Sequence, residues 1–197
     1  MIESENSLRW KLQTAAKDVG IDAVTLSEHL LNMPLFYVMS GSSKPFLHHY
    51  GKGGLAQHTL EVVMLCLEVR KQFPQYEIDK TELFLASLYH DSGKLYDYFP
   101  VGEDYKDWLP TPHKRYIHHL SRSAIIWTQA VTDNNPCLFL RYHEPVLHAI
   151  LSHHCTREAG SPVAPKSRVA WLVHFCDAIS ARLYDADTLD VMTGEIK

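Results

Sequence analysis

Imidazoles and carboxylates recur inside or beside the most apolar helical stretches of this chain, and that distribution restricts the folds open to it. Asp177 lies within Val169-Ala-Trp-Leu-Val-His-Phe-Cys-Asp-Ala-Ile179. An unpaired carboxylate there would be costly to bury, so it requires a cation or a hydrogen-bond network. His90-Asp91 closes the apolar run from Leu83 to Tyr89 and is followed at once by Gly93 and Lys94. His58 sits near the start of an amphipathic segment, His119 just before another, and His153-His154 at the end of the segment written by Val146, Leu147, Ile150 and Leu151. Imidazole nitrogen with carboxylate oxygen suits a borderline transition metal such as Mn, Fe, Co or Zn better than Ca or Mg. The glycine and lysine after His90-Asp91 read as a layout for a metal and then a phosphate.

Helical periodicity recurs over residues 60–72, 80–89, 120–132, 144–153 and 166–184, and strand-like alternation is scarce, so the expected fold is all-α. Residues 1–44 should supply two helices that pack on the bundle, one over 8–19 and one opened by Thr25-Leu-Ser-Glu28 and continuing toward Tyr37. Residues 45–185 form the functional part, and the acidic residues 186–197 read as a tail on a single structural domain. Residues 95–117, rich in proline and aromatics, read as a long irregular loop. There Tyr96, Tyr98, Phe99, Tyr105 and Trp108 either stack on a base or pack the loop onto the bundle, and Lys114 and Arg115 are placed to meet phosphate. Arg157 is a candidate for the opposite rim.

The order of these groups resembles that of the HD-domain metal-dependent phosphohydrolases over roughly residues 45–185. The wording is most similar to the HD half of the YhaM-type 3′-to-5′ exoribonucleases. The matching phrases are His48-His49 followed by Gly54-Leu-Ala-Gln-His58, then His90-Asp-Ser-Gly-Lys94, His119-Leu-Ser, Ile150-Leu-Ser-His-His154 and Asp177-Ala-Ile-Ser-Ala-Arg182. The resemblance implies an HD-domain helical bundle with one or two divalent transition metals in its core, Mn or Fe first, with Ni, Co or Zn as alternatives. It implies His58, His90, Asp91 and Asp177 as one ligand set, and His119, His153 and His154 as a second set, with Asp91 bridging. A slip of one residue exchanges His118 for His119, and neighbouring helical positions point about 100° apart. Asp91 and Lys94 would carry catalysis, metal-activated water being the nucleophile. Lys94, His48, His49, Arg157, Lys114 and Arg115 are the substrate-binding candidates, although His48 and His49 could equally brace their loop.

The implied substrate is a phosphoester or phosphodiester of a nucleotide or of a short single-stranded nucleic acid. YhaM-type enzymes also carry an N-terminal OB domain, which residues 1–45 do not encode, so a protein partner could supply nucleic-acid binding. The alternative is a non-catalytic accessory or binding module, because Gly53-Gly-Leu-Ala-Gln-His-Thr-Leu-Glu-Val-Val63 is also similar to the HD segment of mobile-element relaxases. With 19 Lys and Arg against 23 Asp and Glu and no basic block, a strong grip on duplex nucleic acid is not expected. The four cysteines show no CxxC pairing, and neither a signal segment nor a membrane span stands out. A cytoplasmic protein is expected, and exposed aromatic loops would permit a homodimer.

Overall fold

The computed structural model describes residues 2–193 except 43, 46, 103, 104 and 106, with side chains described to Leu183. Among the described residues are eight α-helices: α1 (Glu5–Val19), α2 (Ile21–Leu31), α3 (Gly54–Gln72), α4 (Lys80–Tyr89), α5 (Pro112–Tyr116), α6 (His119–Thr132), α7 (Pro136–Ser152) and α8 (Arg168–Thr193). One antiparallel hairpin, β1 (Tyr98–Val101) with β2 (Asp107–Pro110), interrupts them.

The short helix α4 organises the bundle. Asp79 caps its start, accepting from the backbone N–H groups of Thr81 at 2.8 Å and Glu82 at 3.0 Å. Every residue from Leu83 to Tyr89 is buried, so the helix is apolar all round. It packs against α1, α2, α3, α6, α7 and α8, and its last residue, Tyr89, donates its hydroxyl to Leu26 O at 2.6 Å and meets the Trp127 ring. The outer helices are one-sided. In α1 the buried positions Leu8, Leu12, Ala15 and Ala16 recur at helical spacing.

Helices α1, α2, α3 and α7 begin earlier than periodicity suggests. Helix α2 starts at Ile21, with Gly20 breaking the chain from α1 at φ 143°, and Thr25 lies inside it. Helix α2 stops at Leu31, short of the expected Tyr37, and residues Pro34–Tyr37 form a separate 3-10 turn. Helix α7 runs from Pro136 through an interior Pro145, which removes one backbone donor without ending the helix. Helix α8 continues through residues that read as a tail, to Thr193; residues 194–197 lie outside the described residues.

The segment expected to be an irregular loop is partly ordered into the hairpin and α5. Its register sets Tyr98 opposite Pro110 and Pro100 opposite Trp108. Tyr98 and Trp108 are buried against the bundle, whereas Tyr96, Phe99 and Tyr105 are exposed. The aromatics therefore divide between packing and open surface.

The loop before α3 is held by close backbone approach. Leu55 N and Gly53 N reach Met39 O and Val38 O at 2.9 and 3.0 Å, replacing the side-chain cap that α3 lacks. A Cβ at Gly54 would lie 1.8 Å from His49 O. Gly54→Ala is thus expected to lower the urea midpoint, at a cost of about 1–3 kcal/mol or more; an unchanged midpoint would show that this loop is not seated as described.

Candidate metal centre

The floor of the site is the C-terminal end of α4. His90 N still bonds Ala86 O at 3.0 Å, and Asp91 then leaves helical geometry at φ −109°, ψ 8°. A 3-10 turn over Ser92–Tyr96 carries Lys94 back over the same point. Gly93 sits where this turn presses on α6: its N–H donates to Ser123 Oγ at 2.8 Å, and a Cβ there would lie 2.1 Å from His119 O. Helix α3 brings His58, α8 brings Asp177, the start of α6 brings His119, and the end of α7 brings His153 and His154.

Two groups form. In the first, the ligand atoms of His58, His90, Asp91 and Asp177 all lie within 4.8 Å of one another. His58 Nε2 is 3.0 Å from Asp177 Oδ1, 3.4 Å from Asp91 Oδ2 and 3.3 Å from His90 Nε2. In the second, those of His119, His153 and His154 satisfy the same limit. Asp91 faces both, because its other oxygen, Oδ1, is 3.4 Å from His119 Nε2 and 3.6 Å from His153 Nε2.

The imidazoles are oriented from behind. Nδ1 of His90 meets Ser87 O at 2.7 Å, that of His153 meets Ile150 O at 2.8 Å, and that of His154 meets Ala159 O at 2.8 Å. Nδ1 of His58 is 3.2 Å from Ser180 Oγ, which donates to Glu61 Oε2 at 2.8 Å. Nδ1 of His119 faces Asp97 Oδ2 at 3.3 Å. A proton on each Nδ1 leaves a lone pair on each Nε2, the atom turned inward, as metal-ligating histidines require. Asp91 Oδ1 and His153 Nε2 are buried with no hydrogen bond. Orphaned acceptors at the junction of the two groups fit divalent cations of the borderline class.

Charge is balanced around Asp91. Burial would raise its pKa, but Lys94 and His90 hold it well below the usual carboxylate range. Lys94 Nζ stands 2.6 Å from Asp91 Oδ2 and, although buried, is held above the usual lysine range by that carboxylate. Burial pushes His119 down to about 4, and burial with His153 pushes His154 down to about 3. Both are therefore neutral at physiological pH, the form a metal needs. At His58 burial acts downward, but Asp177 and Asp91 outweigh it and raise the group to about 9, so an ion that takes Nε2 there must displace a proton first.

The other candidates lie around this centre. His118 is outside the three-histidine group; it precedes α6 at φ 68°, its ring 4.2 Å from that of His119. The His48 ring lies 5.8 Å from that of His58, tilted against it, and the buried His49, its ring 5.0 Å from that of His58, sets Nε2 on Glu61 at 2.8 Å and so ties its loop to α3. Lys114 Nζ donates to Tyr98 OH at 2.7 Å, and Arg115 is exposed over the Tyr116 ring. Arg157 is exposed at the edge of a cavity of about 440 Å³ that His118, Ser121 and Gly160 also line. A larger groove of about 1060 Å³ between α1, α3 and α8 is lined by none of the seven metal-facing residues, although Glu61 and Ser180 reach it.

Glu61, Ser180 and Asp97 were not among the sequence candidates. Glu61 follows His58 by three positions and Ser180 follows Asp177 by three, a spacing that shares a helix face and could have revealed both. Asp97 gives no such signal, since it depends on the 3-10 turn. Removing the backing of His58 with Glu61→Ala should weaken divalent-ion binding at the His58 position about 10–100-fold, read by titrating metal-stripped protein with Mn. Unaltered affinity would show that His58 needs no support from Ser180 and Glu61.

Residues 55–182 match the family model for the HD domain. Among curated proteins the chain is similar to the 3′-5′ exoribonuclease YhaM of Oceanobacillus iheyensis, at 27% identity over 140 residues, covering 69% of this chain and 40% of that protein. The YhaM proteins of Bacillus subtilis and Bacillus velezensis are both 28% identical, over 141 and 145 residues, covering 69% and 71% of this chain and 41% and 42% of theirs. The chain thus spans about two fifths of the length of these relatives. No solved structure matches it.

Proposed function

The chain belongs to the HD domain family, and from that premise we propose that it is a metal-dependent phosphohydrolase that cleaves a phosphoester or phosphodiester of a nucleotide or short single-stranded nucleic acid. One observation carries this reading. A single buried carboxylate, Asp91, faces two separate ligand groups and has a lysine against it. His58, His90, Asp91 and Asp177 would hold one divalent ion, and His119, His153 and His154 with Asp91 a second; Mn and Fe suit this mixed nitrogen and oxygen set. When bound, such ions lower the pKa of water and polarise a phosphoryl oxygen.

The chain's own groups supply the rest. Lys94 is fixed by Asp91 and remains cationic, so it can neutralise charge that builds on the phosphoryl oxygens. The backing on each Nδ1 keeps all five imidazoles from turning, which fixes where a scissile phosphate can lie. No side-chain nucleophile is needed. Arg157, Lys114 and Arg115 would serve as contacts for further phosphates, and His48, whose ring lies 5.8 Å from that of His58, would join them.

The activity for which the relatives are named, 3′-5′ exoribonuclease, favours nucleic-acid ends within this substrate class. The second reading, a non-catalytic module, gains no support from a centre with seven candidate metal-facing groups and a charged lysine. Among the described residues no helix is long and apolar enough to cross a membrane, and the four cysteines are free thiols, which suits the cytoplasm.

Incubating the protein with Mn and a panel of short RNA, short DNA, deoxynucleoside triphosphates, monophosphates and cyclic nucleotides, with products read by mass spectrometry, tests the proposal. One product class should appear with the wild type and vanish with Asp91→Ala, while Lys94→Met lowers kcat about 10²- to 10³-fold. Turnover that survives Asp91→Ala would sink the mechanism.

A further inference from the structure

A chain of four side chains runs from the rim of the protein into the three-histidine group. Arg122 Nε donates to His113 Nε2 at 3.1 Å. His113 Nδ1 is 2.9 Å from Asp97 Oδ1. Asp97 Oδ2 faces His119 Nδ1 at 3.3 Å, a close polar contact that falls short of an aligned hydrogen bond. Asp97 is fully buried, and its backbone oxygen also receives Thr111 N at 2.9 Å.

One arrangement of protons satisfies the whole chain. A guanidinium has no acceptor, so His113 must present a lone pair at Nε2 and carry its proton on Nδ1. A carboxylate has no proton to give, so Asp97 accepts from His113 on one oxygen, and its other oxygen, 3.3 Å from His119 Nδ1, favours a proton on that nitrogen. His119 is then protonated at Nδ1 and presents Nε2, the atom 3.4 Å from Asp91 Oδ1. The Asp97 carboxylate, which can only accept, sets the direction at both imidazoles, and Arg122 at the outer end holds His113 in the matching tautomer while its guanidinium covers the exposed ring of Tyr96 at 4.7 Å.

His119 differs in this from its two partners. His153 and His154 are oriented by backbone carbonyls, which no side-chain substitution removes. His119 is oriented by side chains from the 3-10 turn's end, from α5 and from α6. We infer that Asp97, His113 and Arg122 are positioning residues that act through His119 to set the affinity of the second metal position, so that the seating of the 3-10 turn and α5 against α6 controls whether a second ion is held. This rests on the reading of His119, His153 and His154 as a metal position.

Asp97→Asn is the diagnostic change, because an amide accepts at one end and donates at the other. If its oxygen takes His119 Nδ1–H, its NH2 demands a lone pair at His113 Nδ1; the His113 proton then moves to Nε2, against the Arg122 N–H. If it serves His113 instead, its NH2 opposes His119 Nδ1–H. Either way one link must break.

The test is titration of metal-stripped wild type, Asp97→Asn, Arg122→Met and Arg122→Lys with Co(II), following both calorimetry and the visible ligand-field spectrum, with melting of the metal-free proteins as a fold control. The expected result is two binding steps in the wild type. In Asp97→Asn the second step should weaken about 10–100-fold with an altered spectrum, the first step being unchanged. Arg122→Met should show a smaller loss in the same step, and Arg122→Lys, which keeps a donor to His113, should recover it. Two wild-type steps that all three variants reproduce in affinity and spectrum would overturn the inference and leave the metal-dependent reading intact. A wild type that binds one ion would also overturn the inference, because it removes the second position. A wild type that binds no ion would contradict both.

Discussion

Everything in this structure is arranged around the burial of one carboxylate. Asp91 is almost wholly removed from water, yet it remains anionic, and a buried charge is tolerated only where other charges or ions surround it. Its two oxygens divide the duty. Oδ2 takes Lys94 and looks toward His58 and His90, whereas Oδ1 looks toward His119 and His153 and has no hydrogen bond. The centre is electrostatically incomplete in a way that cations on either side would correct.

The bundle explains how such a point can exist inside an apolar core. Helix α4 is buried all round, so its end falls within the protein instead of on its surface. A helix end has unsatisfied backbone groups, and here Ser87 O serves His90 Nδ1. The end of α7 works in the same way, with Ile150 O serving His153. Two buried helix C-termini thus supply both ligands and the acceptors that orient them. Gly93 allows the turn carrying Lys94 to close against the backbone of α6, and this sets the lysine over Asp91.

Much of this was legible in the sequence. Polar residues that interrupt strongly apolar helical segments have few physical excuses, and His58, His90, Asp91, His119, His153, His154 and Asp177 are the residues that meet at the centre. The helical segments were readable for the same reason, since periodicity reports burial. What local pattern could not give was contact between distant segments. Asp97 and His113 meet only because a 3-10 turn and α5 fold toward each other, and His49 turns inward to Glu61 although it sits in a glycine-rich loop. The hairpin was hidden because proline and aromatic residues mark loops and edge strands alike, and its two short strands offer too few alternations to distinguish them.

The proposal depends most on Asp91 joining two ions. Electron paramagnetic resonance of the metal-stripped protein reloaded with two equivalents of Mn(II) tests that directly. A bridging carboxylate predicts a magnetically coupled pair in the wild type, replaced in Asp91→Ala by the signal of free or isolated Mn(II). Isolated Mn(II) alone in the wild type, with both equivalents bound, would contradict the account.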